Sequence, residues 1–325
     1  MKACIYGAGA IGGWIGARLA QAGCTLDVVA RGATLEALQR DGLTLVSGDT
    51  RVTVPVNASD DPAALGVQQL VIVAVKAPAL PAVAERIAPL LGPETIVLTA
   101  MNGVPWWFLQ GGFGGPVAGR QLQAVDAGGK IDAGIPAKHV IGCVVHASCS
   151  LDAPGVVRHH FGNGLIIGEP SGESTARVRM LGELLARAGI DTRISPQIQK
   201  DVWYKLWGNM TVNPISALTG ATTDVILHDE LVRGFISTIM LEAREIGARI
   251  GVPIAESPED RHAVTRKLGA FKTSMLQDVE AGRQVELDAL VSAVRELGQL
   301  AQVPTPFTDA LLGLARLRAR QLGLY

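Results

Sequence analysis

The chain has 325 residues, 48% of them hydrophobic and 18% charged, which is long enough for two domains with separate cores and too apolar for a disordered protein. Lys plus Arg number 29 and Asp plus Glu 30, so the basic footprint of a nucleic-acid binder is absent. No uncharged run of about 18 apolar residues occurs, which excludes a membrane-spanning helix. Met1-Lys2 leads straight into a strand-like run, so a cytoplasmic protein without a signal peptide is expected. The four cysteines (Cys4, Cys24, Cys143 and Cys149) form no C-x-x-C pair and read as reduced core thiols.

Lys2 to Tyr6 is a short apolar strand that runs into Gly7-Ala8-Gly9-Ala10-Ile11-Gly12. A helix-like segment through Trp14, Ile15 and Leu19 comes next, stopped by Gly23, and Thr25 to Ala30 reads as a second strand. Strand, glycine turn, helix and strand within roughly 30 residues form the context in which G-x-G-x-x-G signals dinucleotide binding. Gly7 permits the tight turn, Gly9 lets the backbone approach a pyrophosphate, and Gly12 allows close helix–strand packing. The N-terminus of that helix offers unpaired N–H groups to the phosphates. Arg31 ends the second strand where an NAD-specific site places Asp or Glu on the ribose hydroxyls. A guanidinium there suits a 2′-phosphate, so the expected cofactor is NADP(H).

Gly42 to Val46 and Arg51 to Val56 read as a small hairpin. Gln69 to Val75 is a continuously apolar strand of the buried parallel kind, ending at Lys76 on the sheet edge where α/β ligands bind. A helix from Pro81 to Leu91 precedes a strand from Thr95 to Ala100, which opens on Asn102-Gly103. From Val104 to His139 the chain turns Gly-rich around Trp106-Trp107-Phe108, which predicts a folded lid or hairpin bordering the substrate. Val140 to Ser150, Gly155 to Phe161 and Leu165 to Gly168 read as antiparallel strands, Ser174 to Ala188 as a helix and Ile190 to Ile194 as an edge strand. His146, His159, His160 and Cys149 lack four-ligand spacing, so no metal is expected.

Beyond Pro196 helical periodicity dominates, in Glu230 to Ile250, Phe271 to Glu280, Val285 to Gln302 and Phe307 to Leu322. The domain boundary is therefore placed near Ser195: a Rossmann-like NADP-binding domain over 1–195 and a helical substrate and catalytic domain over 196–325. The fold class is α/β, an N-terminal Rossmann-type dinucleotide-binding domain joined to an all-α C-terminal domain. In Asp201 to Ser216, Lys205, Asn209 and Asn213 recur every fourth residue and share one helix face. Trp203, Leu206, Trp207 and Met210 form a neighbouring apolar stripe for a core. An ammonium and two carboxamides in a row suit a small substrate rich in oxygen.

The glycine motif, Arg31, Ala74-Val-Lys76, Asn102-Gly103, Lys205-x3-Asn209-x3-Asn213-Pro214, Ser274 to Asp278 and Glu286-Leu-Asp288 together resemble the ketopantoate reductase (2-dehydropantoate 2-reductase) family over the whole length. The resemblance implies NADPH and a 2-oxo acid in a cleft between Rossmann and helical domains. It implies Lys205 as proton donor, with Asn209, Asn213 and Ser274 on the substrate. It also implies Asn102 at both ligands, Glu286 beside the nicotinamide and the lysine, and Arg31 and Lys76 on the cofactor's extra phosphate. Ser148, where the family touches the cofactor, stands in place of an expected alanine, and Ala79 replaces a frequent glutamine.

Hydride transfer to a ketone leaves an alkoxide that needs a proton, and a lysine ammonium supplies one. Desolvation favours proton release from an ammonium and a neighbouring carboxylate opposes it. Neither Tyr6 nor Tyr204 has a lysine four residues on, which rejects the tyrosine-based short-chain dehydrogenases. A β-hydroxyacid dehydrogenase-like enzyme, another 2-oxo acid reductase or a non-catalytic NADP-sensing protein are the alternatives. The expected partner is a small 2-oxo acid, with no nucleic acid and no membrane; the apolar C-terminal helices could support a homodimer.

Overall fold

The computed structural model describes residues 1–325. The chain divides into two compact units, one comprising Met1–Met101 and Gly129–Ile198, the other Asn102–Gly128 and Gln199–Tyr325. The first unit is discontinuous, because the segment from Asn102 to Gly128 groups with the helices.

In the first unit, β1 (Lys2–Tyr6), α1 (Ala10–Gln21) and β2 (Thr25–Val29) form a parallel crossover. Next come α2 (Gly32–Asp41), β3 (Leu43–Ser47), β4 (Thr50–Val54), β5 (Asn57–Ser59), β6 (Gln68–Val73), α3 (Leu80–Arg86) and β7 (Leu91–Thr99). After the excursion to the second unit come α4 (Lys130–Gly134), β8 (Val140–Ala153), β9 (Val156–Gly168), α5 (Ala176–Arg187) and β10 (Asp191–Ile194). The strands join one sheet in the order β4-β3-β9-β8-β7-β6-β1-β2-β5, with β10 also on β9. β1 pairs in parallel with both β2 and β6, so the strand order reverses beside β1. Such a switch point is where open α/β sheets bind ligands. Leu70, Val71, Ile72 and Val73 of β6 are all fully buried, which is why its sequence shows no alternation.

The expected β3–β4 hairpin forms and adds to the sheet through parallel pairing of β3 with β9. The segments expected as two strands, 155–161 and 165–168, are one strand, β9. Gly162 carries it through with a φ of +73°, and a Cβ there would sit 2.5 Å from the His146 carbonyl oxygen. The register shift between His146 and Ser148 in β8 absorbs the irregularity, a β-bulge rather than a chain break.

In the second unit, α6 (Ile198–Thr219), α7 (Thr223–His228), α8 (Glu230–Ile250), α9 (Pro258–Arg266), α10 (Ser274–Glu280), α11 (Ala293–Leu300) and α12 (Pro306–Gln321) build the helical body. Local chemistry fixes their ends. Asp229 caps α8 by accepting from Leu231 and Val232 N–H, and Gly251 ends it in the left-handed region. Ser257 and Asp260 form a capping box at α9. Trp203 and Trp207 of α6 are buried, with Trp207 Nε1 donating to the Met240 carbonyl of α8 at 2.6 Å.

The Trp106-Trp107-Phe108 segment forms neither a hairpin nor an exposed lid. It is built of turns, and Trp106, Trp107, Phe108 and Leu109 are buried. The Phe108 ring lies 6.0 Å from that of Trp203 and 5.4 Å from that of Phe113. The Glu296 carboxylate of α11 accepts the backbone N–H groups of Gln123 and Ala124, each at 2.8 Å. Aromatic burial and a charged anchor thus make 102–128 part of the helical core.

Candidate active site

At the switch point, two glycines of the motif, Gly7 and Gly12, have a steric reason to be glycine. A Cβ on Gly7 (φ +101°) would meet Val75 Cγ1 at 2.7 Å, and one on Gly12 would meet the Gly7 carbonyl oxygen at 2.2 Å. Over Gly9 there is nothing within 4 Å, so that backbone faces open space. Gly9 is also the N-cap of α1, with no side chain capping it and no acidic residue in the first turn. Ala8, Ala10 and Ile11 complete the turn. Its N–H groups and the positive end of the α1 dipole are therefore able to receive an anion, the chemistry a pyrophosphate needs.

Arg31 is exposed and occupies the N-cap position of α2, just past the end of β2. The acidic residue of that strand, Asp27, is buried and held by Gln68 Nε2 at 2.7 Å and Lys2 Nζ at 3.2 Å. Its contacts make it a structural carboxylate of the sheet. A further arginine, Arg86 on α3, acts on the same corner of the sheet. Burial pushes the Tyr6 phenol up, while the charges of Arg86, the stronger, and Arg31 pull it down. Both guanidinium groups therefore act on the Tyr6 hydroxyl at the end of β1. Arg86 donates to the Asp60 carbonyl at 2.8 Å, and a lone Arg inside a helical stretch carries no sequence signal. Lys76 is half-buried, three residues past β6.

On α6 the expected polar wall forms within the second unit. Lys205 and Asn209 are half-buried and Asn213 is buried, while Trp203, Leu206, Trp207 and Met210 pack into the core. Pro214 lies inside the helix, removing the N–H that would bond to Met210. Lys205 Nζ donates to Asn102 Oδ1 at 2.9 Å. Two neighbours in the chain fix Asn102: Gly103 (φ +85°) packs against Ala289, and Val104 N–H donates to the Ala289 carbonyl at 2.8 Å.

Ala289 belongs to a single π-helical turn, Asp288–Ser292, a device common at functional sites. Glu286 is buried just ahead of that turn, and its carbonyl accepts from Leu290 N–H at 3.1 Å. Ser274 is half-buried at the first position of α10, whose N-cap Thr273 accepts from Leu276 N–H. Ser148 is half-buried in β8, paired with Phe161 at the bulge.

The other nucleophilic and metal-binding types have ordinary roles. Burial pushes the Cys4 and Cys149 thiols up to about 12, so neither is a thiolate at neutral pH. His159 stacks on Trp14 with ring centroids 5.8 Å apart and pairs with Ser47, and His160 pairs with Ser150.

Two family models match the chain. The model described as Ketopantoate reductase PanE/ApbA matches residues 3–172, and that described as Ketopantoate reductase PanE/ApbA C terminal matches residues 197–319. A 2-dehydropantoate 2-reductase from Mesorhizobium japonicum is 48% identical over 326 residues, covering 100% of each chain. The chain belongs to the ketopantoate reductase family. A crystal structure from Ralstonia solanacearum, provisionally named a ketopantoate reductase, is 56% identical with a TM-score of 0.96, covering 100% of this chain and 99% of that one. D-mandelate dehydrogenase with NADH and anilino(oxo)acetate shares the fold at 21% identity and a TM-score of 0.84, covering 100% of each chain. A ketopantoate reductase is an oxidoreductase of the CH–OH group, and 2-dehydropantoate reduction is the activity that membership carries.

Proposed function

We propose that the chain reduces 2-dehydropantoate to pantoate with NADPH, in pantothenate biosynthesis, and that Lys205 is the general acid. The observation that carries this reading is the 2.9 Å hydrogen bond from Lys205 Nζ to Asn102 Oδ1, which fixes an ammonium on the α6 face that carries Asn209 and Asn213. A bound nicotinamide dinucleotide would supply a hydride to the ketone carbon. Lys205 then gives its proton to the oxygen that becomes an alkoxide, so the hydroxyl forms as the ammonium becomes an amine. Asn102 holds the ammonium through one of its three N–H bonds and so fixes its direction. Asn209, Asn213 and Ser274 recognise the substrate oxygens without adding charge. Glu286 would serve the nicotinamide and the lysine, the role that the family resemblance implies for it.

Gly7 to Gly12 and the start of α1 hold the pyrophosphate. Arg31, Lys76 and Arg86 select the 2′-phosphate, because that dianion rewards guanidinium and ammonium neighbours where a ribose diol would favour a carboxylate. Asn102 and Ser148 complete the cofactor contacts. NADPH consumption measured against a panel of 2-oxo acids tests the whole reading. The fastest turnover is expected with 2-dehydropantoate, and a flat or absent response across the panel overturns it.

A further inference from the structure

Arg261 lies on α9, half-buried, with its Nε enclosed and without a hydrogen-bond partner. Its Cζ sits 5.4 Å from the Tyr204 ring centroid, a cation–π contact. Against α6 the group lies flat on Gly208. A Cβ at that glycine would be 2.7 Å from Nη2, 2.8 Å from Nε and 3.0 Å from Cζ, so any larger residue would displace the guanidinium. Burial opposes its charge, and the Tyr204 hydroxyl is the one group that favours it; no carboxylate faces it. A buried guanidinium without a counter-ion is costly, and arginine does not shed its proton to escape the cost.

The position of this cation gives it a use. Gly208 is next to Asn209 and three residues beyond Lys205, about 60° round the helix from the lysine. Asn209 and Asn213 stand on the other flank of the lysine, about 40° and 80° round, so the guanidinium lies beside Lys205 on the side away from the two uncharged carboxamides. With Nε enclosed, its two Nη groups present a planar, end-on fork that fits a carboxylate.

We propose that Arg261 binds the carboxylate of the 2-oxo acid substrate and selects acids over neutral ketones. This rests on the 2-oxo acid reductase reading above. Arg261 neutralises the carboxylate while Lys205 serves the ketone oxygen, so the cations have separate tasks. Gly208 is the residue that makes room for it.

The test compares steady-state NADPH kinetics on 2-dehydropantoate with those on its neutral lactone, which keeps the ketone and lacks the free carboxylate. Arg261→Gln is expected to raise KM for the acid roughly ten- to a hundredfold, the scale of a hydrogen bond to a charged group. KM for the lactone should stay within about threefold, and Arg261→Lys should fall between wild type and Arg261→Gln. Gly208→Ala, which leaves the arginine in place but crowds it, should penalise the acid in the same selective way. Equal penalties on acid and lactone, or no penalty on either, would show that Arg261 only fills space and would overturn the proposal. A wild-type chain that reduces no 2-oxo acid would instead defeat the reading of the activity. Thermal stabilisation by pantoate then decides the role of Arg261. Stabilisation present in wild type and absent in Arg261→Gln supports it, and none in wild type overturns it. Should Arg261→Gln fail to fold, Arg261→Lys and Gly208→Ala carry the same comparison.

Discussion

Gly103 and Ala289 touch so closely that a Cβ at position 103 would lie 2.6 Å from the Ala289 Cβ and 2.7 Å from its carbonyl oxygen. Gly103 also holds a φ of +85°, which L side chains rarely adopt. This contact seats Asn102 against the π turn just past Glu286, and so sets where the partner of Lys205 stands. Gly103→Ala should therefore lower kcat/KM by about tenfold or more, through loss of orientation, while leaving the NADPH dissociation constant within a few-fold. Cofactor fluorescence titration beside steady-state kinetics separates the two, and an unchanged kcat/KM would contradict the role given to this contact.

Lys205→Ala should lower kcat by at least about a hundredfold, the lower scale of general acid catalysis. NADPH binding should persist, since the residues given to its phosphates lie in the other unit. Asn209→Ala should act mainly on substrate KM, because a carboxamide contact is present in ground and transition states alike. A Lys205→Ala enzyme turning over within a few-fold of wild type would remove the lysine from the reaction.

For cofactor choice, Arg31→Ala should raise the NADPH KM by about tenfold and leave NADH use nearly unchanged. Arg86→Ala should do the same to a smaller extent, since it is already engaged with the Asp60 carbonyl. Wild-type enzyme that uses NADH and NADPH equally would refute the assignment of both arginines.

His262 supplies a pH signature of stability. It is buried on α9 with Nε2 at 2.9 Å from Ser237 Oγ. Burial holds its pKa below the usual 6.5, aided by Arg266, Arg233 and Arg261 and opposed by Glu259. The folded state thus binds the proton less readily than the unfolded chain. This contribution is full above pH 6.5 and is lost as the pH falls from there through the lower folded pKa. Melting temperatures should decline below about pH 6.5, and His262→Gln should flatten that part of the profile. A parallel decline in both proteins would assign the effect to other groups.

The aromatic segment after Asn102 is expected to matter for folding before it matters for selectivity. Phe108 is fully buried and contacts both Phe113 and Trp203. Phe108→Ala should cost about 3–5 kcal/mol, the range for an aromatic removed from a core. Denaturant titration measures this directly, and a loss under about 1 kcal/mol would mean the ring is replaceable.

Features set by near neighbours in the chain were legible in the sequence. The glycine motif was readable because a turn's steric demands fall on adjacent residues, as the near contact of Gly12 with Gly7 shows. The α6 wall was readable because helical periodicity alone places Lys205, Asn209 and Asn213 together. The unbroken β9 was not, since Gly162 looks like a terminator until the bulge in β8 accommodates it. Nor was the fate of Trp106, Trp107 and Phe108, whose apolar character fits a lid and a core equally well until Trp203 of α6 meets Phe108 in the core. The partner of Lys205 is Asn102, 103 residues earlier in the chain, and nothing local connects them. Arg86 and Arg261 look like ordinary surface arginines in sequence. Their significance comes from what other elements bring beside them: the Tyr6 phenol in one case, Tyr204 and the bare backbone of Gly208 in the other. Sequence determines conformations whose energy is settled within a few residues; tertiary structure decides which groups from distant parts of the chain surround each charge, and those surroundings set its energy and chemistry.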